Sequence, residues 1–150
     1  MMALAITCCL NKATEEEIAE HLCRCDADFK PPLSSRVTIV DYARKVTLRA
    51  LRFEAWSSGK LVGLVAVYCN DPERRSAFIT SVSVLKEWVS KGIAGELMKQ
   101  CIEHAVALGL RRISLEVSTN NTAAIRLYEK KGFTAGTASK SFVTMKLFLK

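Results

Sequence analysis

No apolar stretch in the sequence approaches the roughly 20 residues that a helix needs to cross a bilayer. Residues 1–10 are apolar, but they lack the basic start of a signal peptide, and their apolar run ends at Asn11. This pattern favours a first β-strand over a leader segment. We therefore expect a soluble protein without a membrane partner.

The cysteines lack the spacing of a zinc site. The six residues form an adjacent pair, a C-x-C pair and two singles, and none of the usual ligand patterns has this form. We therefore expect no metal. The chain also lacks the short, loop-rich character of a secreted disulfide scaffold, so reduced thiols and a cytoplasmic location are predicted. Cys101 falls on the apolar face of a predicted helix, where a core thiol is commoner than a nucleophile.

Two phosphate-binding signatures are absent. The sequence has no G-x-x-x-x-G-K-[ST] loop and no G-x-G-x-x-G after a first strand, which excludes the common triphosphate and dinucleotide folds. The net charge is nevertheless +7, and residues 31–150 carry the excess, with nineteen basic and nine acidic side chains. Such a distribution suits an anionic ligand. Nucleic acid is not expected, because basic and aromatic residues do not interleave and no recognition helix is evident.

What is present is an alternation of strand and helix patterns in 150 residues with 49% hydrophobic content, the size of one domain spanning 1–150. Strands are predicted at residues 1–10, 51–56, 61–68, 77–84 and 113–117, with a final pair within 133–149. Helices are predicted from a Thr14 capping box to residue 23, and at residues 35–48, 92–108 and 121–131. This order predicts an α+β fold in which helices cover one mixed sheet.

Two segments of the second half of the chain carry the functional signal. Residues 91–95 read Lys-Gly-Ile-Ala-Gly, follow a predicted strand and open an amphipathic helix; residues 121–133 read Asn-Thr-Ala-Ala-Ile-Arg-Leu-Tyr-Glu-Lys-Lys-Gly-Phe. A glycine-containing turn at a helix start directs unpaired backbone N–H groups and the helix dipole at one point, which a diphosphate fits. Taken alone, Gly92 and Gly95 could equally relieve crowding between a helix and a sheet.

Together the two segments resemble the acyl-CoA-binding core of the GNAT superfamily of N-acetyltransferases, most specifically over residues 76–135. The resemblance implies a mixed, mostly antiparallel central sheet of about seven strands flanked by about four helices, with acetyl-CoA as co-substrate. The family's turn begins with Arg or Gln, and Val89 takes that position here, a departure expected to weaken coenzyme binding without abolishing it. The implied cofactor-binding residues are Val82, Val84, Val89, Ser90, Lys91, Gly92, Ile93, Ala94, Gly95, Asn121, Ala124 and Tyr128.

The resemblance also implies two catalytic residues. Tyr128 matches the tyrosine that reaches the coenzyme sulfur, and a phenol with an ordinary pKa of about 10 can donate to a thiolate; its alternative role is a half-buried helix aromatic. Glu116 matches the base of ribosomal-protein N-terminal acetyltransferases, a role that needs burial or a water relay; alternatively it is a strand charge that pairs with Arg112 or Lys131. Asn121 is expected to contact the coenzyme arm, to cap its helix, or both.

The acceptor is less well defined by the sequence. In this fold residues 29–42 would overhang the thioester, so Arg36 and Tyr42 are expected to bind the substrate. An arginine there favours an acidic small-molecule amine, of the amino sugar or amino acid type, acetylated directly in a ternary complex. The alternatives are a peptide α-amine or a non-catalytic acyl-CoA-binding module. His21 and His104 are predicted to be surface residues, and the oligomeric state is open, a homodimer included.

Overall fold

The computed structural model describes residues 5–149 apart from 72 and 74. Within these residues one sheet of seven strands runs in the order β1-β2-β3-β4-β5-β7-β6. All neighbouring strands are antiparallel except β4 and β5, which are parallel. The strands are β1 Thr7–Leu10, β2 Leu51–Ser57, β3 Lys60–Asp71, β4 Ser76–Val84, β5 Arg112–Ser118, β6 Thr134–Ala138 and β7 Phe142–Phe148.

Four α-helices cover the sheet: α1 Glu15–Cys25, α2 Ile39–Arg49, α3 Ile93–Ala107 and α4 Thr122–Lys130. Alternate residues of β3 point to opposite faces. Leu64 and Ala66 enter the core under α1 and α2, whereas Val65 and Val67 enter the larger core under α3 and α4. The α+β fold and the mostly antiparallel sheet with four helices are confirmed.

The predicted helix starts differ in accuracy because their local signals differ. At α1 the Thr14 hydroxyl accepts from the backbone N–H of Glu17 and the Glu17 carboxylate accepts from that of Thr14, as the capping box predicts. α2 begins at Ile39 and not at residue 35. Asp26 accepts hydrogen bonds from the backbone and the hydroxyl of Ser34 at 2.7 and 2.6 Å, which holds Leu33–Ser35 in a separate 3₁₀ turn.

Two strand boundaries also differ from the prediction. β3 continues to Asp71, which pairs with Ser76, so the turn predicted at residues 70–72 comes later; Pro72 lies outside the described residues. β1 begins at Thr7, and residues 1–4 of the predicted first strand lie outside the described residues. Pairing with β4 extends β3 beyond the residues that predict a turn, because cross-strand pairing outweighs local propensity.

The sheet divides at its parallel pair. β4 pairs with β5 only from Ser76 to Ile79, opposite Arg112 to Leu115. β4 then has an irregularity next to Thr80, where its register with β3 shifts. Because a bulge bends its strand, residues 80–84 of β4 separate from residues 116–118 of β5 and leave a gap within the sheet.

A buried polar network fixes the loop before α1. The Glu54 carboxylate, fully buried, accepts from the backbone N–H groups of Lys12 and Ala13 at 3.0 and 3.1 Å. Trp56 Nε1 donates to it at 3.0 Å, and Arg52 Nε at 3.3 Å. The Arg52 guanidinium also donates to the carbonyls of Ala13 and Thr47, both at 3.0 Å. The network thus joins the start of α1, the end of α2 and strand β2.

Replacing Glu54 with alanine should lower the free energy of unfolding by about 3–5 kcal/mol, because it leaves the Arg52 charge buried without its carboxylate. Glu129, exposed on α4, supplies the control: Glu129→Ala should stay within about 0.5 kcal/mol of wild type. Urea unfolding followed by circular dichroism measures both variants. Equal stabilities for the two would contradict the role given to Glu54.

Candidate active site

A cavity of about 370 Å³ occupies the gap between β4 and β5. Its wall is formed by the separated strands, by the start of α3, by α4 and by the segment between α1 and α2. The predicted site residues that line it are Arg36, Tyr42, Val82, Val84, Val89, Ala94, Glu116, Asn121, Ala124 and Tyr128. Ser90, Lys91, Gly92, Ile93 and Gly95 do not line it and lie at its α3 end. The structure therefore brings most of the predicted residues to one space.

The start of α3 presents backbone donors. Gly92 is the N-cap and has φ +78°, a conformation that favours glycine, and Ser90 before it also has a positive φ of 63°. No side chain caps this helix end. The N–H groups of Ile93, Ala94 and Gly95 are thus available to an anion. The Ile93 side chain itself is buried in the core, so only its backbone can serve a ligand.

Tyr128 is more buried than the half-buried helix aromatic of its alternative role. It is 7% exposed, lines the cavity from α4, and packs at a tilt against Phe133 with ring centroids 6.0 Å apart. Burial raises the pKa of its phenol to about 12. Among the described residues the hydroxyl has no hydrogen-bond partner. It can therefore donate a hydrogen bond into the cavity, but it is a weaker acid than a free tyrosine.

Glu116 and Asn121 stand near Tyr128 in the cavity wall. Glu116 is exposed on β5, opposite Thr144 of β7, and no ion pair within the described residues joins it to Arg112 or Lys131. The burial that would aid its role as a base is absent. The Asn121 side chain accepts from the backbone N–H of Ala124 at 3.3 Å, which makes it the N-cap of α4 as predicted.

The segment between α1 and α2 closes the other side of the cavity. The Tyr42 hydroxyl donates to the carbonyl of Thr80 at 2.9 Å and lies 2.6 Å from the hydroxyl of Thr80, beside the irregularity of β4. Burial raises the pKa of Tyr42 to about 12. The Arg36 guanidinium lies 4.9 Å from the ring centroid of Phe142 at the start of β7. Tyr42 therefore holds the wall in place, while Arg36 remains exposed at the mouth.

His21 contradicts its prediction as a surface residue. It is 2% exposed, with Nδ1 3.0 Å from the carbonyl oxygen of Leu61 and Nε2 2.9 Å from the hydroxyl of Ser83. Burial lowers its pKa to about 4, although hydrogen bonds with the backbone of Leu61 and of Ser83 raise it. The sequence did contain a signal, because His21 shares helical spacing with the buried Ile18, Leu22 and Cys25. His104 is half-buried, its ring edge-on to Phe53 at 5.6 Å.

The position of Cys101 in the core agrees with the prediction. All six cysteines are free. Cys101 is buried in the core, and burial raises the pKa of its thiol to about 12, which makes it a poor nucleophile. The described residues contain no group of metal-binding side chains, and none of their helices is long and apolar enough to cross a membrane.

The geometry defines a class: an α+β domain with a cavity between two separated parallel strands, beside an open helix N-terminus. The model of the Acetyltransferase (GNAT) family matches residues 15–133. The chain belongs to this family of acetyltransferases.

Two similar proteins illustrate the range of the family. The chain is 33% identical over 86 residues to the N-alpha-acetyltransferase MAK3 of Arabidopsis thaliana, covering 55% of this chain and 44% of that protein. It is 30% identical over 79 residues to the mycothiol acetyltransferase of Corynebacterium glutamicum strain R, covering 53% and 26%. The chain spans less than half the length of the curated relatives it matches.

The fold is shared with the structure of yncA from Salmonella typhimurium, a putative acetyltransferase solved with its cofactor acetyl-CoA. The TM-score is 0.77 at 18% identity, and the match covers 97% of this chain and 95% of that one. The likeness shows that the two chains have the same architecture. The sequence alone had predicted this fold and this family.

The burial of His21 makes stability depend on pH. The unfolded chain binds a proton at His21 near the ordinary pKa of 6.5, whereas the folded chain binds it only near 4. Between these values the unfolded state holds more protons, so stability falls as the pH falls. The free energy of unfolding of wild type should drop by about 3 kcal/mol from pH 6.5 to 4.

Urea unfolding at a series of pH values measures this drop, with His21→Asn as the matched variant. The variant should lose most of the slope between pH 6.5 and 4. Asp26 does not account for this interval, because its ordinary pKa of 3.8 already lies below it and the hydrogen bonds to Ser34 lower that pKa further. The same slope in both proteins would show that His21 is not the group responsible.

Proposed function

We propose that the protein is an acetyl-CoA-dependent N-acetyltransferase that transfers the acetyl group directly to a primary amine in a ternary complex. One observation carries this proposal: the cavity between β4 and β5 joins the open N-terminus of α3, the Tyr128 hydroxyl and the wall formed between α1 and α2. Donors for a diphosphate, a donor for a leaving sulfur and room for an acceptor thus meet in one space.

Residues of the chain are placed to hold both the diphosphate and the pantetheine arm of the coenzyme. The N–H groups of residues 93–95, with Lys91 exposed beside them, would hold the diphosphate. The edge of β4 at Val82 and Val84 has lost its parallel partner, so its backbone groups can pair with the extended pantetheine arm as an added strand would. Acetyl-CoA, when bound, supplies the thioester. The exposed Val89 stands where the family has Arg or Gln. Backbone N–H groups at the start of α3 therefore make the contact to the diphosphate without that side chain.

Tyr128 is assigned to the leaving group. Its raised pKa means that the phenol stays protonated and that full proton transfer to a thiolate is uphill. A hydrogen bond from the phenol stabilises the developing negative charge on sulfur. Glu116, exposed on β5, remains either a base acting through water or a strand charge.

A negatively charged acceptor suits the mouth of the cavity. Arg36 lies at its rim, and a neighbouring cavity of about 500 Å³ shares Phe29, Phe142 and the basic Lys30 with it. Lys140 lines this second cavity as well. These cations would attract an amine that also bears a carboxylate or phosphate, such as an amino acid or an amino sugar derivative.

A peptide α-amine is the second candidate, favoured by the similarity to MAK3. A screen of amines with detection of released thiol distinguishes the candidates: amino acids, amino sugars and amino sugar phosphates against short peptides with a free N-terminus.

The proposal also includes a cytoplasmic location and a single domain over residues 1–150. The free cysteines are consistent with a reducing cytoplasm.

Gly92→Glu should weaken CoA binding by at least about tenfold, because a carboxylate would enter the space of the diphosphate. Gly109, at the other end of α3, has nearly the same φ, +76° against +78°, and no atom near its position for a Cβ. Gly109→Glu therefore imposes the same backbone strain without the charge at the site. Calorimetry with CoA measures both variants. Equal affinities would place the diphosphate elsewhere.

Tyr128→Phe should lower kcat by about ten- to a hundredfold and leave CoA affinity within about twofold, since the hydroxyl acts on charge that develops during the reaction. Tyr68→Phe, which removes a buried tyrosine hydroxyl outside the cavity, is the control. Thiol release with the best amine of the screen measures turnover. Unchanged kcat in Tyr128→Phe would refute its role. Wild-type protein that binds CoA and acetylates no amine would favour the non-catalytic module.

A further inference from the structure

Ser83 connects the cavity to a buried histidine. The residue lines the cavity on β4 and is 7% exposed, and its hydroxyl lies 2.9 Å from Nε2 of His21 on α1. Nδ1 of His21 lies 3.0 Å from the carbonyl oxygen of Leu61 on β3. Three elements thus align a hydroxyl, an imidazole and a carbonyl in a continuous chain that begins at the cavity wall.

The direction of the hydrogen bonds follows from the carbonyl. The oxygen of Leu61 can only accept, so Nδ1 carries the proton and Nε2 of neutral His21 is an acceptor. The Ser83 hydroxyl therefore donates to Nε2. Its proton is directed away from the cavity, and the remaining lone pairs of its oxygen can accept a proton from a group within the cavity.

We propose that Ser83 is a catalytic residue that takes the proton of the acceptor amine, and that His21 is a positioning residue that acts through it as the proton acceptor. The inference rests on the proposed acetyl transfer. It fills a role for which the predicted catalytic residues offer only the exposed Glu116. Ser83 and His21 are well placed for it because both are buried and already hydrogen-bonded before any substrate arrives.

The transfer balances as follows. The amine nitrogen forms a bond to the thioester carbon, and its proton passes to the Ser83 oxygen while the Ser83 proton passes to His21 Nε2. The carbon–sulfur bond breaks, its electron pair stays on sulfur, and the Tyr128 hydroxyl donates a hydrogen bond to the thiolate. His21 returns its extra proton through Ser83 to solvent, and the thiolate takes a proton from solvent. The products are the amide and the free thiol.

The groups around His21 are compatible with this role. From its own helix the thiol of Cys25 lies 3.7 Å from Nε2, and burial raises the pKa of that thiol to about 12, so the thiol stays neutral. Asp28 and Glu87 are the carboxylates that act on Cys25. The low pKa of His21 keeps the imidazole neutral at physiological pH, so Nε2 can accept a proton, and because burial disfavours the charged ring the imidazolium forms only transiently.

Turnover with acetyl-CoA and the best amine of the screen tests the relay. Ser83→Ala and His21→Asn should each lower kcat by at least about tenfold. General base catalysis typically contributes about a hundredfold or more, so a tenfold loss is a conservative minimum. Calorimetric affinity for CoA should be unchanged. The double variant should lose no more than either single variant, because both remove the same path, and Ser83→Thr, which keeps the hydroxyl, should recover most of kcat.

Ser76→Ala is the control, since Ser76 lies on the same strand outside the cavity; its kcat should match wild type. Wild-type kcat in Ser83→Ala, or losses in the two single variants that add in the double variant, would overturn the relay. If wild type acetylates an amine and the variants do so at the same rate, the relay is refuted and the proposed function stands. If wild type acetylates no amine, the proposed function itself is refuted.

A second measurement needs no turnover. Nitrogen NMR of the His21 imidazole at pH 7 should show the proton on Nδ1, and the Nε2 resonance should shift in Ser83→Ala, with thermal unfolding as a check that the variant is folded. A proton on Nε2 would mean that His21 donates to Ser83. That result would overturn the relay whatever the kinetic outcome.

Discussion

The site depends on one interruption of hydrogen bonding: the parallel pairing of β4 with β5 stops at Ile79 and Leu115. Beyond this point each strand keeps its outer neighbour, β3 for β4 and β7 for β5, so the sheet stays intact on both sides of the gap. Within the described residues, the two strand edges that face the gap form no backbone pairing with each other. Buried backbone groups need partners, and an extended polar ligand can supply them.

The wall that faces this gap is held by contacts from separate elements. Tyr42 of α2 bonds to Thr80 at the irregularity of β4, and His21 of α1 bonds to Ser83 further along the same strand. The network around Glu54 fixes where α1 begins and where α2 ends. Because the strand contacts and the Glu54 network both hold α1 and α2, this side of the cavity is already formed in the free protein. A preformed wall lowers the entropic cost of binding a ligand.

The fold was predictable from sequence wherever local signals agreed with long-range pairing. The capping box at Thr14 set the start of α1, and the glycine turn before Ile93 set the start of α3. The start of α2 was not predictable, because it depends on a hydrogen bond between Asp26 and Ser34 across eight positions of the chain. Local periodicity contains no such information.

The site was predictable in the residues that belong to motifs and not in those brought together by topology. Val82 and Tyr128 were identified from the resemblance, and both line the cavity. His21 and Ser83 are 62 positions apart, and only the packing of α1 on the sheet makes them partners. His21 was predicted to be a surface residue, yet hydrogen bonds allow both residues to be buried.

The central claim is that a coenzyme lies between β4 and β5 with its diphosphate at the start of α3. Backbone amide NMR during a titration with CoA tests it most directly. The account predicts the largest chemical-shift changes at residues 92–95 and 82–84, together with slowed exchange of the amides at the start of α3. Changes confined to other regions, or no change at saturating CoA, would contradict it.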